Sequence, residues 1–333
     1  MRAANGWAAP AARPTPPVPQ RLGLALLLGL VAMATGARPA AAEMSSGIVA
    51  DRKGRIYFAD DRHETVWRVD PETGVLEPYV KDVRSLRLAI DEHGNLYGED
   101  IRHDKVEGKW TSRLWKADTK GKVKDIYGPK PGLPPGLLTD EAGNRYWNVR
   151  SVAPEPHSRI IRQTPKGELS TLAGGKWGLR DGEGEKVEMG AVYDMVWGPR
   201  HRIYFTDNNT IRFVRPDGWT TTVTQFPTIE PTATLPEPTT LWGLSVDSEG
   251  VAHVAYYAAR EIIKVLPTGG KKRVIQSQAP WFPTGVTTVG IKVYALEHGI
   301  EPPNRRVGPR VLEYLPQGVL RVVAQVDAPD QAN

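Results

Sequence analysis

GIVADRKGRIYFADD, residues 47–61, is the stretch that decides the fold. A short apolar run leads into Asp51-x-x-Gly54, and a second apolar run with aromatic residues follows and ends at Asp60. Asp in such a turn accepts hydrogen bonds from the nearby backbone and Gly takes a positive φ, so the stretch predicts a β-hairpin. Because the first strand is almost wholly apolar, we expect it to be buried.

The same pattern recurs five more times along the chain. The copies are LRLAIDEHGNLYGED (86–100), GLLTDEAGNRYWNV (136–149), DMVWGPRHRIYFTDN (194–208), GLSVDSEGVAHVAYY (243–257) and GVTTVGIKVYALEH (285–298). After each copy come two further strand patterns joined by a Gly-containing turn, as at residues 71–74. Six units of roughly 47 residues each have the length of a four-stranded blade. The sequence therefore predicts an all-β, six-bladed β-propeller over residues 43–327, followed by a disordered tail at 328–333.

These repeats resemble NHL repeats, whose pattern is G-[IV]-x-x-D-x-x-G-x-[IL]-Y-[FV]-x-D. Residues 172–218 are similar to a segment that joins blades in that family, including the turn at Asp181-Gly182-Glu183-Gly184. The resemblance covers most of the chain after residue 43 and implies the propeller fold. It implies little about function, because propellers host lactonases, lyases, sensors and scaffolds.

The N-terminal segment predicts a secretory signal peptide at residues 1–42. It contains four arginines and no acidic residue, an apolar run from Leu22 to Ala37, and the small residues Ala40-Ala41-Ala42 before Glu43. The apolar run is short for a bilayer span, which needs about 20 residues. We therefore expect a secreted or periplasmic protein that has no membrane contact after cleavage. An uncleaved membrane anchor is the alternative.

Composition excludes several functions. Residues 1–42 hold four of the 43 basic residues of the chain. The basic residues after position 42 are nearly balanced by the 38 acidic residues, so that part of the chain has almost no net charge. Nucleic-acid binding requires a concentrated positive surface, so a nucleic-acid partner is not expected. The chain has no cysteine, which excludes thiol catalysis and cysteine-ligated zinc, and its seven histidines form no H-E-x-x-H motif.

Departures from the repeat mark a candidate ligand site. The first strands of all blades begin at one end of the central channel, which we call the mouth. The repeat has Gly at this position in four blades, at residues 47, 136, 243 and 285, but blade 2 has Arg87 and blade 4 has Asp194. An opposite-charge pair suits an anionic or zwitterionic ligand, with Arg87 as the fork-like anion contact. The alternative is that both residues pair with or cap local backbone groups.

A second set of residues could hold a cation. Three residues past the aromatic of the second strand, the repeat places Asp60, Asp100 and Asp207 near the same mouth. Calcium takes six to eight oxygen ligands, so these acids together with Asp194 could bind Ca²⁺ or another divalent cation as a cofactor. Asp is also the repeat residue at this position and a turn former, so a purely structural role stays open.

Aromatic residues precede several inner strands. Tyr193, Trp242, Trp281 and Phe282 could form a platform that stacks on a sugar or another flat ligand. Propellers also place aromatic residues between blades, where they serve packing.

These patterns favour a monomeric, non-catalytic recognition module that binds a small molecule or a protein partner at the mouth. The resemblance to gluconolactonase and regucalcin-like propellers implies the alternative, a metal-dependent lactone hydrolase. In that family, the metal site uses a Glu from an E-G-P motif on the first inner strand, with Asn and Asp from later inner strands. Here the matching segment is Glu43-Met-Ser-Ser-Gly47, and only Asp194 begins an inner strand with suitable chemistry.

Overall fold

The computed structural model describes residues 45–104, 109–131, 136–151, 157–229, 241–302 and 305–326. These residues form six antiparallel sheets, each built on four strands that are consecutive in sequence, and one of the sheets has a fifth strand in addition. The prediction of an all-β, six-bladed propeller is therefore confirmed. The predicted signal peptide at 1–42 and the predicted tail at 328–333 lie outside the described residues.

Each blade begins with its inner strand and ends with its outer strand. Blade 4 gains a fifth strand, β13, which pairs with the outer edge of β17. The strands are β1 (Ile48–Ala50), β2 (Ile56–Asp60), β3 (Thr65–Val69) and β4 (Leu76–Lys81) in blade 1; β5 (Ser85–Ile90), β6 (Leu96–Asp104), β7 (Lys109–Ala117) and β8 (Val123–Pro131) in blade 2; β9 (Leu138–Thr139), β10 (Arg145–Ser151), β11 (His157–Gln163) and β12 (Leu169–Gly174) in blade 3; β13 (Gly182–Glu183), β14 (Val192–Gly198), β15 (Arg202–Asp207), β16 (Thr210–Val214) and β17 (Trp219–Gln225) in blade 4; β18 (Leu241–Val246), β19 (Ala252–Tyr256), β20 (Glu261–Val265) and β21 (Lys271–Gln276) in blade 5; and β22 (Trp281–Val289), β23 (Lys292–Glu301), β24 (Arg305–Tyr314) and β25 (Leu320–Gln325) in blade 6.

Helical structure is limited to two short 3₁₀ turns in the described part of the chain, at Pro199–His201 and Tyr257–Ala259. Neither has the length or the apolar composition that crossing a bilayer requires. The Asp-x-x-Gly turns form as predicted. In the first, Asp51 accepts hydrogen bonds from the backbone N–H groups of Lys53 at 2.9 Å and Arg55 at 3.0 Å, and Gly54 has a φ of +79°.

A β-bulge at the mouth end of the inner strands decides which residues face the channel. In blade 2, Ser85 pairs with Asp100 but Leu88 pairs with Gly98, so two residues of β5 lie opposite Glu99 alone. The same shift occurs at residues 192–195 in blade 4 and at 241–244 in blade 5. Bulges redirect side chains and are frequent beside functional sites. The shared register places Arg87 at the position that the fifth and sixth blades give to glycine.

The hydrophobic core lies between the faces of neighbouring blades. At the junction of the last and first blades, Tyr294 and Leu296 of blade 6 pack against Ile56 and Phe58 of blade 1. All four side chains are buried. No strand is exchanged between these two blades within the described residues, so the ring closes by side-chain packing and polar contacts.

The polar contacts at this junction are extensive. Arg306 of blade 6 forms a bidentate ion pair with Asp61 of blade 1, with its shortest contact at 3.0 Å. Thr284 Oγ1 donates a hydrogen bond to the carbonyl of Ser45 at 2.7 Å. His298 contacts the same carbonyl at 3.2 Å, and its burial lowers its pKa to about 4. These contacts hold the mouth end of the junction closed.

Candidate functional site

All six inner strands line one central channel of about 370 Å³. Its walls are mostly apolar, with residues such as Leu88 and Val196. The charged side chains among its described lining residues are Arg87 on β5, Glu99 on β6 and Asp194 on β14, which we call the charged cluster. The structure therefore brings Arg87 and Asp194 together in one cavity, although ligand binding by them stays a prediction.

Arg87 is fixed by a backbone carbonyl. Its Nη2 donates a hydrogen bond to the carbonyl oxygen of Tyr193 at 2.5 Å, so its side chain reaches from blade 2 to blade 4. The guanidinium makes no other hydrogen bond and no ion pair within the described residues, and it is partly exposed to the channel. An arginine held in this way keeps unused N–H donors for a ligand.

Asp194 joins two blades through its carboxylate. One oxygen accepts a hydrogen bond from the backbone N–H of Met195 at 2.9 Å, and the other accepts one from Leu244 in blade 5 at 2.8 Å. Its own N–H donates to Thr206 Oγ1 at 3.0 Å. Burial raises the pKa of Asp194, and the Arg87 charge partly opposes that rise. Asp194 thus caps local backbone groups, as the alternative interpretation predicts, while it also faces the channel.

Glu99 is the free carboxylate of the cluster. It is 7 % exposed and accepts no hydrogen bond from any described residue. Burial raises its pKa, the positive charge of Arg87 lowers it, and the negative charge of Asp194 raises it further. A carboxyl group with a raised pKa inside a cavity is a candidate for proton transfer.

Glu99 is not among the residues predicted from the sequence, where the repeat residue Asp100 beside it is the more prominent acid. The signal was present in the repeat alignment, since the register of the first two strands gives each blade one residue equivalent to Glu99. In the other blades this residue is Ala59, Asn148, Thr206, Ala255 or Leu296. An acidic residue at this position is as unusual as Arg87 or Asp194 at theirs.

The other side of the mouth consists of backbone. A Cβ atom on Gly243 would lie 2.6 Å from the Cα of Gly285, and one on Gly285 would lie 2.3 Å from the carbonyl oxygen of Ser46. A Cβ on Gly47 would lie 3.1 Å from the carbonyl carbon of Arg87. Blades 5, 6 and 1 therefore meet through closely packed glycines and form the closed half of the mouth, whereas blades 2 to 4 form the charged half.

The predicted ring of acids is not brought together with Asp194. Asp60, Asp100 and Asp207 are buried within their own blades, and none of them lines the channel. Their partners come from the same blade: His63 at 2.5 Å for Asp60, Arg102 at 3.0 Å and Arg113 at 3.2 Å for Asp100, and Arg212 at 2.8 Å for Asp207. These acids pair with cationic side chains of their own blades, so the expectation that they face one site with Asp194 is wrong.

The described residues do not fit a divalent metal. They contain no group of three or more His, Asp or Glu side chains placed to share an ion. Within the charged cluster, both oxygens of Asp194 already accept backbone hydrogen bonds and Arg87 adds a positive charge. Calcium needs six to eight oxygen ligands, which this arrangement does not offer.

The aromatic residues serve packing more than they form a platform. Trp242 is buried and stacks between Tyr193, with ring centroids 6.3 Å apart, and Tyr257, with centroids 4.8 Å apart. Trp281 lies under the guanidinium of Arg310, which is 4.0 Å from its ring centroid. None of these rings lines the channel. Tyr193 contributes to the site through its carbonyl, which holds Arg87.

The chain matches no protein-family model and no curated protein sequence. Its fold is shared by solved structures of low sequence identity. A structural-genomics target assigned as a gluconolactonase is 16% identical, with 76% of this chain and 85% of that chain covered and a TM-score of 0.51. A luciferin-regenerating enzyme is 12% identical, with 86% and 95% covered and a TM-score of 0.51. A gluconolactonase from Xanthomonas campestris is 13% identical, with 76% and 83% covered and a TM-score of 0.50.

These comparisons identify the chain's structural neighbours as gluconolactonase-like six-bladed propellers, while the NHL family stays a resemblance. They contradict the prediction of a non-catalytic recognition module, because the neighbours are enzymes by name.

Proposed function

We propose that this chain is a hydrolase of lactones or related esters and that the charged cluster at the mouth is its active site. The observation that carries the proposal is Glu99, a carboxylate without a hydrogen-bond partner in the described structure, which faces an open channel and has a pKa raised by burial. The two gluconolactonases that share the fold support this reaction class.

Glu99 acts as the general base in this proposal. Its ionised carboxylate takes a proton from a water molecule while the water oxygen bonds to the ester carbonyl carbon. The tetrahedral intermediate then collapses, the carbon–oxygen bond to the alkoxide breaks, and Glu99 returns the proton to that alkoxide. A lactone and a water molecule thus become one hydroxy acid. General acid–base catalysis of this kind contributes typically 10²- to 10⁴-fold.

The other two members of the cluster position and tune Glu99. Asp194 is held by the amides of Met195 and Leu244, so its charge stays near Glu99 and helps to raise the pKa of that carboxyl. Arg87 has the opposite electrostatic effect, so Glu99 can still ionise. The apolar channel wall below the cluster limits competing hydration of the charges. We also propose that the reaction takes place outside the cytoplasm, because residues 1–42 have the composition of a secretory signal.

The test is a Glu99→Gln variant assayed on a panel of sugar and aliphatic lactones. We expect kcat/KM to fall at least about 100-fold, because the amide cannot accept the proton from water. Glu92→Gln is the matched control, since Glu92 is an exposed carboxylate in a turn at the opposite end of the strands. In the unsubstituted protein, kcat/KM should decrease as pH falls through the raised pKa of Glu99.

Two results would overturn the proposal: full activity in Glu99→Gln, or no hydrolysis of any lactone by the unsubstituted protein. The assay is repeated after treatment with a chelator, which should leave the rate unchanged. Loss of activity that added Ca²⁺ restores would instead favour the metal-dependent form of the hydrolase.

A further inference from the structure

Arg87 differs from three other buried or half-buried arginines of the propeller. Arg113, Arg212 and Arg310 each form an ion pair with a carboxylate of their own blade. Arg87 forms none, even though it is close enough to Glu99 and Asp194 to lower the pKa of both carboxyls. The positive charge of Arg87 is therefore not paired with a carboxylate within the described residues.

Backbone contacts hold both Arg87 and Asp194 in the channel. The Tyr193 carbonyl holds one end of the guanidinium, and backbone amides occupy both oxygens of Asp194. The remaining N–H donors of Arg87 belong to a planar group that lines the channel. Partial removal of such a cation from water costs free energy unless an anion reaches it.

We propose that the substrate of the proposed hydrolase carries a carboxylate in addition to its ester bond, and that Arg87 binds this carboxylate. The inference rests on the proposed function, and it adds the substrate class. The guanidinium presents parallel N–H groups that match the two oxygens of a carboxylate. Arg87 is a binding residue here, and Glu99 remains the group that handles the proton.

A matched pair of substrates tests the assignment. 5-Oxotetrahydrofuran-2-carboxylate and its carboxamide share a five-membered lactone ring and differ in one charge. Charge-assisted hydrogen bonds are worth about 1.5–3 kcal/mol, so the unsubstituted protein should prefer the carboxylate by about 10- to 100-fold in kcat/KM. Arg87→Gln should abolish the preference by slowing the carboxylate substrate, and Arg87→Lys should keep part of it.

The control variant is Arg52→Gln, which removes the same charge from an exposed side chain at the opposite end of the strands and should keep the preference. Equal rates for both substrates in the unsubstituted protein, or an unchanged preference in Arg87→Gln, would overturn the inference and leave the proposed hydrolase intact.

Binding of glutarate, measured by calorimetry, separates this inference from the proposed function. Glutarate has carboxylates but no ester bond, so its binding does not depend on catalysis. Binding that Arg87→Gln abolishes and Arg52→Gln retains would support the anion site even if no lactone is hydrolysed. Absence of glutarate binding to the folded, unsubstituted protein would count against the anion site, whatever the hydrolysis assays show. Inorganic phosphate is tested in parallel, and tighter binding of phosphate than of glutarate would contradict the carboxylate assignment.

Discussion

The two halves of the mouth use the same structural position in opposite ways. In the closed half, Gly243 and Gly285 let neighbouring inner strands approach so closely that no side chain fits. In the charged half, the equivalent position carries Arg87 and Asp194, and Glu99 faces the same channel from the adjacent strand. The closed half therefore holds the ring together, and the charged half carries the proposed active-site residues.

This division shows how a repeat fold can gain a site without losing its ring. A buried charge costs stability, so a propeller can accommodate it only where the remaining junctions are tight. The junction of blades 6 and 1 meets that condition, with packed glycines, a buried ion pair and the core formed by residues such as Phe58 and Tyr294.

The largest effect should come from breaking the closed half at Arg306. The Asp61 side chain beside it is 1% exposed, so Arg306→Ala leaves a buried carboxylate without its partner. We expect the free energy of unfolding to fall by about 3–5 kcal/mol in a denaturant titration. The neighbouring Arg305 pairs with Glu301 on the surface, so Arg305→Ala should cost less than about 1 kcal/mol. Equal losses in the two variants would show that the Asp61 pair does not hold the ring.

A smaller loss should follow from a single methyl group on the closed half. In Gly285→Ala the new Cβ would meet the Ser46 carbonyl oxygen at 2.3 Å, so the junction must open. Overpacking of this kind costs about 1–3 kcal/mol. Gly270→Ala is the control, because its nearest contact would be an ordinary 3.5 Å to a flexible Leu266 side chain. If Gly285→Ala is as stable as Gly270→Ala, the closed half is looser than the structure indicates.

The fold could be predicted from the sequence because the same strand–turn–strand pattern occurs six times. A strand that is uncertain in one copy can be assigned by comparison with the other five. Each copy carries its own turn chemistry, and the structure forms those turns as expected, as at Asp51 and Gly54. Strand order then follows because consecutive strands pair within a blade.

The site could be predicted only in part. Arg87 and Asp194 were visible because each replaces a glycine that the repeat requires. The roles of Asp100 and Asp207 were not visible, because their arginine partners are set by register across strands. The aromatic residue Trp242 was ambiguous for a similar reason, since only the three-dimensional structure shows that neighbouring rings cover it.

The most direct test of the account is the stability of Glu99→Gln measured against pH, together with its activity. Because burial raises the pKa of Glu99 in the folded state above its ordinary value of 4.5, folding favours the protonated form. The stabilising effect of protonation is present at low pH and is lost as pH rises through the folded-state pKa, where the buried carboxylate must ionise. The account predicts that Glu99→Gln matches the unsubstituted protein near pH 4, becomes the more stable of the two by pH 8, and loses lactone hydrolysis. A variant that is less stable at every pH, or that keeps its activity, would show that Glu99 is a structural residue and would contradict the account.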